Sequence, residues 1–187
     1  MPLPHSIVRL GHPILRFPAE PVDVARLKAG ELKELVDALT GALRESNASA
    51  LTAPQLGAEL QVMAIRGELL AGSADEQEIR IVVNPMLVPE HADLVYDWEG
   101  CLSIPDLKGL VPRYPTVRLR GIDHRGQALD LEASGEAARV LQHAHDHLSG
   151  VVFLDRMRDL RSLAFGDEWR EFLSGGDFDR SSSEATS

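Results

Sequence analysis

From Glu31 to about Ser46, the residues Leu32, Leu35, Val36, Leu39 and Leu43 recur at helical spacing, while Lys33, Glu34, Asp37 and Arg44 fall off that stripe. The pattern predicts an amphipathic helix buried on one side and ending near Asn47. Short β-rich runs follow. Residues 61–66 and 79–83 read as strands, the second stopped by Asn84-Pro85. Residues 117–122 alternate apolar with basic or small side chains, as a half-buried strand does. Asp123-His124-Arg125-Gly126 then predicts a hairpin turn into residues 128–131. A second helix is expected after Ser134, an acceptable N-cap, through His147 to a stop at Ser149-Gly150. Its buried stripe would be Ala137, Val140, Leu141, Ala144 and Leu148. A third helix is expected over about residues 160–172, and the proline-rich residues 1–28 read as an extended arm with turns. Strands followed by helices, without regular βαβ alternation, predict an α+β fold. We expect one domain over residues 1–174 and a disordered Gly-, Asp- and Ser-rich tail over residues 175–187.

Composition narrows the function classes. The chain has 187 residues, 44% of them hydrophobic and 26% charged, which is ordinary for a globular protein with a real core. A net charge of −10 argues against general nucleic-acid binding, because phosphate contacts need clustered Lys and Arg. No run approaches the roughly 18 apolar residues of a membrane span, and MPLPHSIVRL lacks the layout of a secretory signal. One cysteine allows no internal disulfide, so a cytoplasmic, reducing location is expected.

Seven histidines and that cysteine direct attention to a metal. His143 and His147 lie four apart on the second helix, within roughly 40° of each other around its axis. Two imidazoles so stacked can share one ion, although such a pair can also simply line the polar edge of a helix. Cys101, in Glu99-Gly100-Cys101-Leu102-Ser103, is either a small buried hydrophobe or, as a thiolate, a third ligand. Three protein ligands would leave a fourth tetrahedral position open for water, which separates a catalytic site from a structural one.

EGCLS (99–103), QHAHDHLSG (142–150) and TAPQLG (52–57) together resemble the peptide deformylase family, which reads QHExDHLxG and GxGLAAPQxG in the last two places. The resemblance covers about residues 4–160. It implies antiparallel sheets around a central metal-binding helix, and one divalent ion, ferrous iron as the usual metal with zinc or nickel as substitutes. It implies hydrolysis of the formyl group from N-formylmethionyl peptides as they leave the ribosome. By the same resemblance Cys101, His143 and His147 would be the ligands. The Gln55 amide and the Leu102 N–H would donate to the developing oxyanion. Glu99, Gly100 and Arg113 would lie on the substrate side, and Asp146 would support the ligands from behind, unless it is simply a solvated acid at a helix end.

The resemblance breaks at Ala144, which stands where the family has the general-base glutamate. Losing a positioned acid–base group typically costs ~10²–10⁴-fold in rate. His145 and Asp146 lie off the ligand face and replace it poorly. Ala48 and Ala50 also stand in place of family glycines, where an added methyl alters the strand beside the substrate. Several changes around one site fit divergence of a paralogue better than a single engineered trap. Two functions therefore compete: a weak or specialised amidohydrolase, and a metal-loaded protein that binds peptide N-termini or a partner without turnover. A purely structural metal is disfavoured by the open fourth position.

Overall fold

The computed structural model describes residues 6–70 and 78–174. The Leu stripe forms α2 (Lys33–Glu45), preceded by a short α1 (Val24–Lys28). Leu32, Leu35, Leu39 and Leu43 are all buried. Strands β1 (Ala50–Thr52), β2 (Val62–Arg66), β3 (Ile79–Pro89), β4 (Val95–Cys101), β5 (Ile104–Arg113), β6 (Thr116–Ile122) and β7 (Ala128–Ser134) lead to α3 (Gly135–Leu148). A turn of helix α4 (Phe153–Arg156), a two-residue β8 (Ala164–Phe165) and α5 (Gly166–Glu168) complete the order. The strands pair antiparallel in two sheets, β1-β2-β3-β6-β7 and β4-β5-β8. This is the α+β arrangement anticipated from the element order.

Alternation along the larger sheet builds a core on each face. Val62, Ala64, Ile81 and Val83 pack beneath α2. Met63, Ile65, Val82, Val117 and Leu119 pack beneath α3. Helix α3 thus rests on a two-sided sheet. Among the described residues no helix is long and apolar enough to cross a membrane.

Four expectations need correction. Asn84-Pro85 does not end β3 but forms a bulge, the register shifting between Val83 and Met86. Asn84 takes a φ of 49°, and its side-chain amide pairs with both backbone groups of Val22, at 2.8 and 2.9 Å. This tethers the N-terminal arm. Second, the buried stripe of α3 is Ala138, Leu141, Ala144 and Leu148, because the helix is rolled toward the sheet and leaves Ala137 and Val140 half-buried. Third, residues 160–172 are not one helix. A 3-10 turn, β8 against β5, and a π-helical segment Trp169–Leu173 share that stretch. Fourth, the proline-rich arm carries a 3-10 turn at Pro13–Arg16 and the helix α1, so only part of it is extended. The expected tail, 175–187, lies outside the described residues.

Helix α3 does stop at Ser149-Gly150, with Gly150 left-handed at φ 72°. A Cβ there would sit 2.8 Å from the Arg16 carbonyl carbon, against backbone that cannot swing away. Gly150→Ala is therefore expected to destabilise the fold by about 2–3 kcal/mol, from left-handed strain plus the clash. A thermal melt reads this, and an unchanged midpoint would contradict the docking of the arm against the helix end.

Candidate metal centre

Three elements deliver the site. The end of β4 brings Cys101, the last two turns of α3 bring His143 and His147, and the 3-10 turn after β1 brings Gln55. The ligand-capable atoms of Cys101, His143 and His147 lie within 4.8 Å of one another. Cys101 Sγ is 3.2 Å from His147 Nε2. A tetrahedral ion would hold sulfur and nitrogen donors about 3.5 Å apart.

The surrounding hydrogen bonds prepare this set for a metal. Glu99 Oε2 lies 2.8 Å from His143 Nδ1, so Nε2 is the ring nitrogen left to face the cysteine or an ion. Burial opposes the Cys101 thiolate, yet hydrogen bonds from both histidines, and their charge, bring the thiol down to about 5. Burial likewise opposes the His143 imidazolium, but the Cys101 and Glu99 partners raise it to about 9. Metal-free, the cluster is a thiolate held against cationic imidazole, and a dication would replace those protons. His147 Nδ1 is buried without a partner, so that ring is aimed only through its sulfur-facing nitrogen. This donor set fits a soft or borderline divalent ion.

Gln55 is held from both ends. Its Oε1 accepts from the Thr52 N–H at 3.0 Å and from the Thr52 hydroxyl at 3.1 Å. That turns Nε2 toward Ser103 Oγ at 3.3 Å and Cys101 Sγ at 3.8 Å. Backbone bonds from Val8 N to Gln55 O and from Leu10 N to Ser103 O, at 2.9 and 2.8 Å, hold both residues against the N-terminal arm.

A cleft of about 1210 Å³ opens over the triad, and Ala48, Ala50, Gln55, Gly100, Leu102 and Ala144 all line it. Ala144 presents a methyl group beside the ligands, with no carboxylate in reach on its own helix face. Asp146 and His145 face a second, smaller cavity on the far side of α3.

Glu99 and Arg113, both assigned to the substrate side by resemblance, border the cleft but turn their charged ends inward, each 5% exposed. Arg113 holds Glu99 through two bonds of 2.8 and 3.0 Å and reaches Asp146 at 2.5 Å. Asp146 is in turn gripped by Arg156 at 2.6 and 3.1 Å. Although burial opposes its charge, Glu99 is lowered to about 2 by His143 and Arg113. A continuous ion-pair network thus stands behind the ligands. Glu99 orients His143, and Asp146 anchors the helix that carries both histidines.

Sequence reasoning missed the roles of Thr52 and Ser103 around Gln55, and missed Arg139 and Arg156 altogether. Thr52-Ala-Pro-Gln55 has the T-x-x-Q form of a capping box, a signal that would have found the first. The arginines carry no local signal, since their partners lie far away in the chain.

Residues 4–162 match the family described as polypeptide deformylase. Peptide deformylase 1 of Nitrosomonas europaea is 37% identical over 163 residues, 86% of this chain and 92% of that relative. Peptide deformylase 1 of Streptomyces coelicolor is 38% identical over 180 residues, 92% of this chain and 81% of the relative. The crystal structure of a peptide deformylase from Synechococcus elongatus in complex with actinonin superposes with a TM-score of 0.73 at 32% identity, covering 86% of this chain and 81% of that one. Arabidopsis thaliana peptide deformylase 1B, solved with an inhibitor, gives 0.73 at 34% identity, over 89% of this chain and 86% of its own. With the family matched over most of its length and the fold shared, this chain belongs to the peptide deformylase family.

Proposed function

We propose that the chain is a metal-dependent deformylase of low intrinsic turnover, acting on N-formylmethionyl peptides or nascent chains in the cytoplasm, with ferrous iron as the native ion and zinc or nickel as working substitutes. The observation that carries this reading is the convergence of Cys101, His143 and His147 in an open cleft that also holds Gln55. When bound, the ion supplies Lewis acidity and a nucleophile from water near neutral pH.

The chain's own residues supply the rest. β1 is an edge strand of its sheet, so its outer side is available to pair with an extended peptide. The Gln55 amide, held by Thr52, is preorganised to donate to the formyl oxygen as negative charge develops there, with the Leu102 N–H as the second donor. Ala144 can neither take a proton from the attacking water nor return one to the leaving amine. Proton transfer then falls to solvent, and the reaction is slow.

The test is formate release from formyl-Met-Ala-Ser by anaerobically prepared, iron- or nickel-loaded protein beside the same protein stripped with a chelator. Slow release that vanishes on stripping supports the enzyme. Ala144 also favours a second reading, a metal-loaded protein that holds peptide N-termini without cleaving them. Metal and peptide binding with no formate released would select it.

A further inference from the structure

Glu99 carries more partners than the orientation of one histidine requires. Its Oε2 meets His143 Nδ1 at 2.8 Å and accepts from Arg113 Nη2 at 3.0 Å, while its Oε1 accepts from Arg113 Nε at 2.8 Å. A further bond to Oε1, 2.9 Å long, comes from Arg139 Nη1. Arg139 belongs neither to the metal cluster nor to any step proposed above, yet its side chain is only 13% exposed although it borders an open cleft. Its Nη1 also donates to the Val111 carbonyl and its Nη2 to the Val95 carbonyl, both at 2.8 Å. A guanidinium built to greet a ligand would turn its terminal nitrogens to the cleft. This one turns them to the wall.

Spacing gives the reason. Arg139 and His143 lie four apart on α3, about 6 Å along its axis. Glu99 and Cys101 lie two apart on β4, about 7 Å along a strand. Side chains at those intervals share a face in each element. Successive turns of α3 therefore keep pace with alternate residues of β4. Arg139 reaches Val95 and Glu99, His143 reaches Glu99, and His147 reaches Cys101 at 3.2 Å.

A slip of α3 along β4 would carry both histidines away from the cysteine. Two pins oppose it, one on each side of His143. After it, Asp146 bonds Arg113 of β5 at 2.5 Å. Before it, Arg139 grips Glu99 and main-chain oxygens of both strands, and its planar fork holds these acceptors in fixed directions.

Resting on the metal reading of the triad, though not on the cleavage of any peptide, we propose that Arg139 is a positioning residue: it holds α3 in register with β4 and so preforms the gap that a divalent ion fills between Cys101 and the two histidines. It touches neither the ion nor a substrate. Its effect passes through Glu99 and the backbone of the two strands.

The test is metal binding by the full-length protein with no peptide present. Zinc affinity is measured by competition with a chromophoric chelator, and cobalt(II) absorption reads the ligand field and the thiolate-to-metal charge transfer. Arg139→Met, which keeps much of the side-chain length and loses the donors, is expected to weaken zinc about 10–100-fold and to shift or weaken the cobalt bands. Arg139→Lys offers a point charge in place of the fork and is expected to recover part of the loss. Leu39→Ala is the control for general stability, since Leu39 is buried beneath α2 on the other face of the larger sheet. Below its melting temperature it is expected to keep the zinc affinity and cobalt spectrum of the unaltered protein. Unchanged affinity and spectrum in Arg139→Met overturn the proposal, and so does an equal loss in Leu39→Ala. If Arg139→Met does not fold, Arg139→Lys decides: a partial loss of zinc affinity supports the proposal and unchanged binding overturns it. If the unaltered protein binds neither zinc nor cobalt, the metal reading falls as well. If it binds them and Arg139→Met binds them equally, the metal reading survives alone.

Discussion

Ala144→Glu is expected to raise formate release by about 10²–10⁴-fold, the usual contribution of a positioned general acid–base group. That range corresponds to about 3–5 kcal/mol of barrier. His143, just before Ala144, and His147, three on, both belong to the cluster that could hold a metal, so a side chain at this position starts on the face of α3 that the cluster shares. A glutamate there is long enough to reach water at the open position and to hand its proton to the departing amine. Thr52 already holds the Gln55 amide toward Cys101, independently of position 144. Measured as kcat for formyl-Met-Ala-Ser with equal metal loading, a gain near the expected range would show a complete scaffold lacking one group. No gain, with metal and peptide both bound, would mean that the groove altered at Ala48 and Ala50 no longer presents the acyl group to the site.

Arg113→Met is expected to destabilise the protein by about 3 kcal/mol, the lower end for breaking a buried ion pair. Arg113 sits between Glu99 and Asp146, and all three are 5% exposed. The lower end applies because Arg139 and His143 still hold Glu99, and Arg156 still holds Asp146. For a chain of this size the melting temperature should fall by roughly 6–12 °C. The double variant Arg113→Met with Glu99→Gln should recover part of that loss, since an uncompensated buried charge does the damage. A shift under about 2 °C for the single change would show that the network contributes orientation and little stability.

What could be read from the sequence was local. The Leu stripe of α2, the β6–β7 hairpin and its Asp123–Gly126 turn, and α3 with its glycine stop all follow from spacing within a dozen residues. The triad was legible because two of its members share a helix face and the third is the only cysteine. The β4–β5 hairpin was harder to see. It contains Gly100, Pro105, Gly109 and Pro112, residues that weaken a strand pattern, and only pairing across Val95–Arg113 makes them a ladder. Residues 160–172 look helical because Leu160, Leu163, Trp169 and Phe172 fall near helical spacing, but pairing of Phe165 with Leu107 breaks the run. The inward turn of Glu99 and Arg113 could not be read locally either. Fourteen residues separate them, and their bond to each other depends on β4 lying beside β5.

The two sheets share no hydrogen-bonded strand among the described residues. Cys101 belongs to the smaller sheet, whereas both histidines ride on the helix seated against the larger one. An ion coordinated by all three would act as a rivet between two plates. Arg139, reaching from that helix to the backbone of β4 and β5, and the His143–Glu99 and Arg113–Asp146 bonds fasten the same two plates. Metal occupancy would thus become a mechanical variable as well as a chemical one: an ion held by Cys101, His143 and His147 would also help to set the width of the groove.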